Sequence, residues 1–496
     1  METEKEYDGG GLGVGRTMTE LKTIELKTIE LKTGGYKPGS RKKIRAILHS
    51  LETRFPVRRS FKWGELVRSG GDCDEPVQRW FCYREGYSLA LAARLLQDVL
   101  QGGLVVDPCC GTGVTLLAGR ERGCSSVGID LNPLAAFASR VKTANYSEVK
   151  RVRLTAISKR LSNLCPTDPT HEAPELRNLG RVFLPTVLHA LLVIQHAITQ
   201  IGEADERDFF LLAWLSLLEG VSNLKREGSL KNRRRRRLYR GGYEVLPTQV
   251  WQSSSFPADP FAYVLSTFLS RVQEMFTDLD VDNLEVTARE VLRPCSMKAP
   301  QSAVFRGSAM ELGTFLAPGS ADAVVFSPPY LNTLNYVNAY RIELWMGGFL
   351  RSYDERKELN RSSIRSHFDT SLVREGDSDL PEELEGLIRL MDADSLWSPD
   401  IPQMVRGYFH DMGKILEESF KVLKAGGVCR IVIGTSAYGL VVVPTDTLLA
   451  AIAETKGFTV ERISVARPLG TSSQQMPNLK PFHDYLRESI LFLRKG

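Results

Sequence analysis

Leu104-Val105-Val106-Asp107 is an apolar run that ends in a carboxylate and breaks at once into Pro108-Cys109-Cys110-Gly111-Thr112-Gly113. A helical pattern, Val114 to Arg120, follows. Strand, glycine-bearing turn and helix open a βαβ unit, which commits the chain to parallel strands joined by crossover helices. Gly111 and Gly113 permit positive φ and let a ligand approach the backbone closely. Asp-Pro-x-x-Gly-x-Gly after a strand is far more specific than Gly-x-Gly alone. A dinucleotide dehydrogenase would more often carry a third glycine at position 116, where this chain has Leu116. Ser125 to Asp130 reads as the next strand, and its terminal carboxylate suits ribose hydroxyls.

A second constraint lies far downstream. Ala323-Val324-Val325-Phe326 reads as a short buried strand that stops at Ser327-Pro328-Pro329-Tyr330. Two prolines fix φ and remove two backbone donors, so the strand cannot continue. Their carbonyls stay free as acceptors, Ser327 adds a hydroxyl and Tyr330 an aromatic face. That combination fits an amine carried on a planar ring.

These residues resemble the amino-methyltransferases of the N4-cytosine/N6-adenine DNA family. Ser327–Tyr330 matches their motif IV, in the Ser form most typical of cytosine-N4 enzymes. Asp107–Gly113 matches motif I, the S-adenosylmethionine loop, and Asp130 to Ala135 runs as motif II does. Phe81 to Tyr87 stands where motif X closes over the methionine end of the cofactor. Val304 to Leu312 resembles motif III, with Ser308 where the family usually has an acidic residue that contacts the adenine amine. The resemblance covers roughly 76–144 and 300–496. It implies an α/β, Rossmann-like class I S-adenosylmethionine-dependent fold, with a seven-stranded, mostly parallel sheet. Leu423-Lys424-Ala425-Gly426-Gly427 is expected to cap a helix before a strand, and the segments around Phe458 and Ile490 to close the sheet as an antiparallel pair. The implied cofactor contacts are Phe81, Tyr83, Asp107, Pro108, Gly111, Thr112, Gly113, Asp130, Asn132 and Ser308. The implied catalytic set is Ser327, Pro328, Pro329 and Tyr330.

The remaining chain organises around these motifs. Residues 1–40 are glycine-rich and carry a five-residue repeat, Leu21 to Glu25 and Leu26 to Glu30, whose period builds no helical or strand face. They are read as a disordered tail. Residues 41–144 hold a basic segment and the first half of the methyltransferase domain. Residues 145–300 form an insert with helical patterns at 182–201, 209–224 and 260–279. Within it, nine basic residues against one acid span 225–240. In isolation such a stretch is a solvated loop. Beside a base-modifying motif it becomes a phosphate contact, through Lys231, Arg233, Arg234, Arg235, Arg236, Arg237 and Arg240. This insert is the expected target-recognition element. Residues 301–496 complete the domain, interrupted at 351–405 by a polar insert that fits a lid, a recognition element or a partner surface.

At 496 residues and net charge +5, with 43% hydrophobic residues, composition allows two or three domains and decides nothing further. The eight cysteines form no Cys-x-x-Cys pair, and adjacent Cys109 and Cys110 suit neither a structural disulfide nor a zinc site. No metal is expected. With no signal peptide and no apolar run near ~18 residues, the expected location is the cytoplasm.

The resemblance implies methylation of the cytosine N4 amine in duplex DNA, by base flipping and direct transfer. The setting would be restriction-modification or defence, with any endonuclease a separate protein. Adenine-N6 of DNA or a guanine amine of RNA is the alternative acceptor. A non-catalytic nucleic-acid-binding protein is the distant one. A cytosine-C5 mechanism is excluded, because its Pro-Cys nucleophile belongs at the motif IV position, whereas Pro108-Cys109 lies in the cofactor loop.

Overall fold

The computed structural model describes residues 36, 38–67, 74–83, 86–227, 229–232, 235–237, 243–245, 259–291, 300–332, 334–374, 380–470 and 476–496. Its centre is an eight-stranded sheet. The strands are β1 (Val57–Arg59), β2 (Leu104–Asp107), β3 (Ser125–Asp130), β4 (Ser302–Arg306), β5 (Ala321–Phe326), β6 (Leu423–Gly434), β7 (Phe458–Pro468) and β8 (Arg487–Lys495). They lie in the order β1-β7-β8-β6-β5-β2-β3-β4. Only β8 runs antiparallel, to both β6 and β7. This is the Rossmann-like class I methyltransferase arrangement, with one strand more than the seven expected. The addition is β1, which extends the edge beside β7 with Val57 opposite Ile463. It escaped notice because Arg58 and Arg59 are exposed, and three residues carry almost no period-2 signal.

The central strands are apolar throughout because both their faces are covered. Val105, Val106, Ala323, Val324, Val325 and Phe326 are all 0% exposed. The Leu423–Gly427 run is not a helix cap. Helix Ile401–Val422 stops and Leu423 pairs at once with Ala321. Val428 then pairs with Ala323, so the residues between bulge out, with Gly426 at φ 75°.

The 145–300 insert is largely helical: Pro185–Thr199, Ala204–Leu217 and Pro260–Val291 overlap the three expected segments, and Glu148–Leu161 is a further helix that was not expected. Phe209, Trp214, Leu191, Val264 and Phe268 from these helices are fully buried in one core. That core continues through Trp80, Phe81, Leu134 and Phe137 beside the sheet. The bond between the two parts is polar as well. Asp278 on the long helix accepts hydrogen bonds from Val77 N (3.0 Å), Arg79 Nε (3.0 Å) and Trp80 Nε1 (2.9 Å).

The basic stretch is not a simple loop. Leu224–Glu227 pairs antiparallel with Ser229–Asn232, and Arg235–Arg237 with Tyr243–Val245. Lys231 and Arg235, Arg236 and Arg237 therefore sit on hairpin strands, whereas Arg233, Arg234 and Arg240 fall outside the described residues. The Ser229–Asn232 strand lies against helix Tyr336–Ala339, just beyond the Ser327–Tyr330 turn. The repeat tail is likewise outside the described residues, which begin at Tyr36; helix Ser40–Arg54 follows. The polar insert folds into helices Tyr353–Ser362 and Glu382–Arg389.

Candidate active site

The sheet's strand order reverses between β2 and β5, which run parallel side by side while their crossovers depart in opposite directions. A crevice forms there beyond the C-terminal ends of the strands, the usual ligand position in an open α/β sheet. Phe81, Tyr83, Asp107, Pro108, Gly111, Thr112, Asp130, Asn132 and Ser308 line it, together with Ser327, Pro328 and Pro329. Residues spread over almost 250 positions of sequence thus meet because β2, β3, β4 and β5 all end at one rim.

Gly113 is the exception among the expected cofactor contacts. It does not line the crevice. It precedes helix Val114–Glu121 at φ 89°, and a Cβ there would come within 2.6 Å of Ser139 Oγ. Its lack of a side chain seats the helix closely against Ser139.

Two buried carboxylates hold the loops. Asp107 accepts from Cys109 N (3.0 Å) and from the Thr115 hydroxyl, which itself meets Tyr87 Oη at 2.5 Å. Burial pushes its pKa up to about 7, against the pull of those hydrogen bonds. Asp130 accepts from Gly111 N (2.9 Å) and Asn132 N (2.8 Å), so it ties the first loop to the second. Burial raises it to about 6. Burial and the same two carboxylates push both the Cys109 and Cys110 thiols well up, which leaves them poor nucleophiles. Ser308 Oγ accepts from Met310 N at 3.2 Å, so part of its acceptor capacity goes to capping the next turn.

Some polar atoms at the crevice have no partner among the described residues. Asn132 Oδ1 caps helix Pro133–Thr143 through Leu134 N (3.0 Å), which leaves its buried Nδ2 unpaired. Gln78 Nε2 is also buried and unpaired. Buried donors of this kind cost free energy unless something accepts from them. The Tyr83 ring lies 3.7 Å from where a Cβ on Gly111 would stand, and stacks on Tyr340 with centroids 4.6 Å apart. It covers the glycine loop as a lid on one side.

Tyr330 lies outside the crevice lining, although its three predecessors form part of it. Its hydroxyl donates to Glu488 Oε1 at 2.6 Å, and Arg467 Nε meets the other oxygen of Glu488 at 2.5 Å. Glu488 stands opposite Gly434 in the β6–β8 ladder. The ring can lie across β6 to reach it only because residue 434 has no side chain: a Cβ would come within 2.8 Å of Tyr330 Cδ2.

Sequence reasoning missed one wall entirely. Leu359, Ser362, Ser363, Ile364, Ser366 and His367, all from the polar insert, complete the crevice. No motif marks them, and only a short serine-rich stretch ending in a histidine could have drawn attention. Among the described residues no group of three or more His, Cys, Asp or Glu side chains is placed to hold a metal ion. None of the described helices is long and apolar enough to cross a membrane.

The type II methyltransferase M.BsoBI of Geobacillus stearothermophilus is 23% identical over 441 residues, 83% of this chain and 84% of that one. M.AvaI of Anabaena variabilis is 23% identical over 439 residues, 83% and 85% of the two chains. M.MvaI of Kocuria varians matches at 23% over 360 residues, 70% and 73%. Over most of its length the chain is similar to type II methyltransferases. No family model matches. Superposition on the rRNA methyltransferase aviRa of Streptomyces viridochromogenes gives a TM-score of 0.29 at 11% identity over 82% of this chain and 85% of that one. The fold therefore rests on the strand order itself.

Proposed function

We propose that this protein is an S-adenosylmethionine-dependent DNA methyltransferase of a restriction-modification system, and that it methylates the N4 amine of cytosine. The observation that carries this reading is the convergence of Ser327, Pro328 and Pro329 with the Asp107–Thr112 loop and Asp130 on one crevice. Similarity to type II methyltransferases over most of the chain supports the DNA substrate.

The donor set fits the cofactor. Asp130 accepts from ribose hydroxyls, the unpaired Asn132 Nδ2 donates to the nucleoside, and Tyr83 and Phe81 cover the loop beneath the methionine end. Bound S-adenosylmethionine supplies an electrophilic methyl group. The protein's part is to hold the amine in line with it. A paired cytosine must first leave the duplex, at a cost of a few kcal/mol. Stacking on Tyr330 returns roughly 1–3 kcal/mol. The Ser327 hydroxyl and the Pro328 carbonyl accept hydrogen bonds from the amine, which withdraws its lone pair from the ring and aims it at the methyl group. After transfer the same oxygens face a cationic amine, which sheds a proton to solvent. Lys231 and the Arg235–Arg237 strand hold phosphates, consistent with the first hairpin's position beside helix Tyr336–Ala339.

The test is a transfer assay with labelled S-adenosylmethionine and mixed-sequence duplex DNA, read by mass spectrometry of the digested nucleosides. N4-methyldeoxycytidine is the expected product. N6-methyldeoxyadenosine would overturn the base while keeping the class, and label in RNA alone would overturn the DNA assignment.

A further inference from the structure

The wall built by the polar insert contains a buried histidine. His367 is 4% exposed, lines the crevice, and its Nδ1 is buried without a hydrogen-bond partner among the described residues. A purely structural histidine in a core spends its ring nitrogens on protein groups. The segment that carries it is instead fastened by its neighbours. Arg365, fully buried, donates to Asp411 through its backbone N (2.9 Å), Nε (3.1 Å) and Nη2 (2.8 Å). Arg374 Nη1 reaches the same carboxylate at 3.0 Å, and its Nη2 donates to Arg361 O and Ser363 O. On the far side, Thr370 Oγ1 donates to His367 O at 2.9 Å, and Asp369 accepts from Asn335 Nδ2 (2.6 Å) and Asn338 Nδ2 (3.0 Å). The backbone is thus clamped from both sides while the imidazole is left facing the crevice.

We infer that His367 is a ligand-contact residue, delivered by the insert, whose Nδ1 hydrogen bonds the polar edge of a nucleobase held in the crevice. The inference rests on the methyltransferase reading above. Geometry selects a nucleobase over the charged end of the cofactor. The same wall includes Leu359 and Ser362, which stand with Leu131 along a second groove just past Asp130. Arg374 Nη1 also lies 3.7 Å from Met310 Sδ, beside Ser308. The wall therefore faces the side of the crevice assigned to the nucleoside, not the glycine loop. Desolvation holds the imidazole neutral near pH 7, which preserves its acceptor nitrogen. An exocyclic amine complements Nδ1 as an acceptor, and a base ring nitrogen complements the tautomer in which Nδ1 carries the proton. Two bases reach this site, the cofactor's adenine and the extruded target base, and they offer the same chemistry.

The experiment uses the full-length protein, with S-adenosylhomocysteine titrated calorimetrically and methyl transfer to mixed-sequence duplex DNA measured in parallel. His367→Ala and His367→Gln are compared with wild type, with Tm recorded for each. If the adenine is the partner, His367→Ala weakens S-adenosylhomocysteine roughly five- to tenfold, the worth of one hydrogen bond. If the target base is the partner, that affinity is unchanged and kcat for transfer falls by a similar factor. In either case His367→Gln, which keeps polar atoms near the same reach, recovers part of the loss. Unchanged affinity and unchanged kcat in both variants overturn the inference, as does a loss confined to Tm. Should His367→Ala fail to fold, the Gln variant alone decides: wild-type binding and turnover in it, with no KM change, likewise overturn the contact. Wild-type protein that binds no S-adenosylhomocysteine would remove the methyltransferase reading itself, a different failure from variants that match a binding wild type.

Discussion

At the scale of single residues, the Ser327–Tyr330 turn and its support make separable predictions. Ser327→Ala removes one acceptor for the amine and nothing from the cofactor loop. It is expected to lower kcat by about two orders of magnitude, while S-adenosylhomocysteine affinity in calorimetry stays at the wild-type value. Undiminished turnover would refute the role given to Ser327. Tyr330 depends on two residues that no motif marks. Gly434→Ala would drive a methyl group into the ring, and Glu488→Leu would strip the hydroxyl of its acceptor and leave Arg467 unpaired. Both are expected to reduce transfer without touching cofactor affinity, which separates a mispositioned base platform from a damaged crevice. Asp107, Asp130 and Ser327 were legible because strand-terminal residues before proline or glycine turns advertise their position. Glu488 was not legible. It meets Tyr330 across 158 positions of sequence, through a ladder register that periodicity alone does not supply. Gly113 was legible as a glycine, but the sequence cannot distinguish room for a ligand from the room for Ser139 that the fold also requires.

Elements carry the next level of control. The Asp411 carboxylate, on helix Ile401–Val422, is 2% exposed and serves two arginines of the polar insert. Removing it leaves the fully buried Arg365 guanidinium without its counter-charge, which costs about 3–5 kcal/mol in a buried pair. Asp411→Ala should therefore lower the urea midpoint substantially and weaken S-adenosylhomocysteine as the Ser363–His367 wall loosens. Stability and affinity unchanged together would mean that the wall stands without this clamp. The basic hairpins call for a different measurement. Replacing Arg235, Arg236 and Arg237 together by Ala should weaken DNA binding across all sequences. The slope of log K against log salt should also fall, by up to about 3 if each contacts one phosphate. An unchanged slope would place the DNA elsewhere. The helical insert was readable from its 3.6 periodicity, and the two hairpins within it were not. A run of arginines has no apolar alternation, so composition announced charge and concealed the strands.

The crevice draws on residues from Gln78 to His367 and its rim is braced from β8, so a ligand bound there would be coupled to the whole molecule. That a mostly parallel sheet carries β2, β3, β4 and β5 was foreseeable from the motifs; their order in the sheet was not read from the sequence. The edge strand β1 and the insert's share of the crevice were foreseeable only from tertiary pairing. Linkage gives the molecule a definite pH response. Asp130 and Asp107 have pKa values raised by burial to about 6 and about 7 in the free protein. Raised above their unfolded values, they make the folded state bind more protons than the unfolded chain between pH ~4 and ~7, so their contribution to stability declines as pH rises through that window. A ligand that donates hydrogen bonds to these carboxylates favours their ionised forms and must displace protons at low pH. S-adenosylhomocysteine affinity is therefore expected to rise from pH 5 to pH 7.5 and then level, by about tenfold per pH unit for each fully coupled group. The ligand-induced increase in Tm should grow in parallel, since stabilisation by a ligand follows RT ln(1 + [L]/Kd). Thermal shifts at fixed ligand concentration across that range provide the check. A shift that is flat with pH, or that shrinks as pH rises, would mean that the buried carboxylates serve only to hold the loops together and do not meet the cofactor.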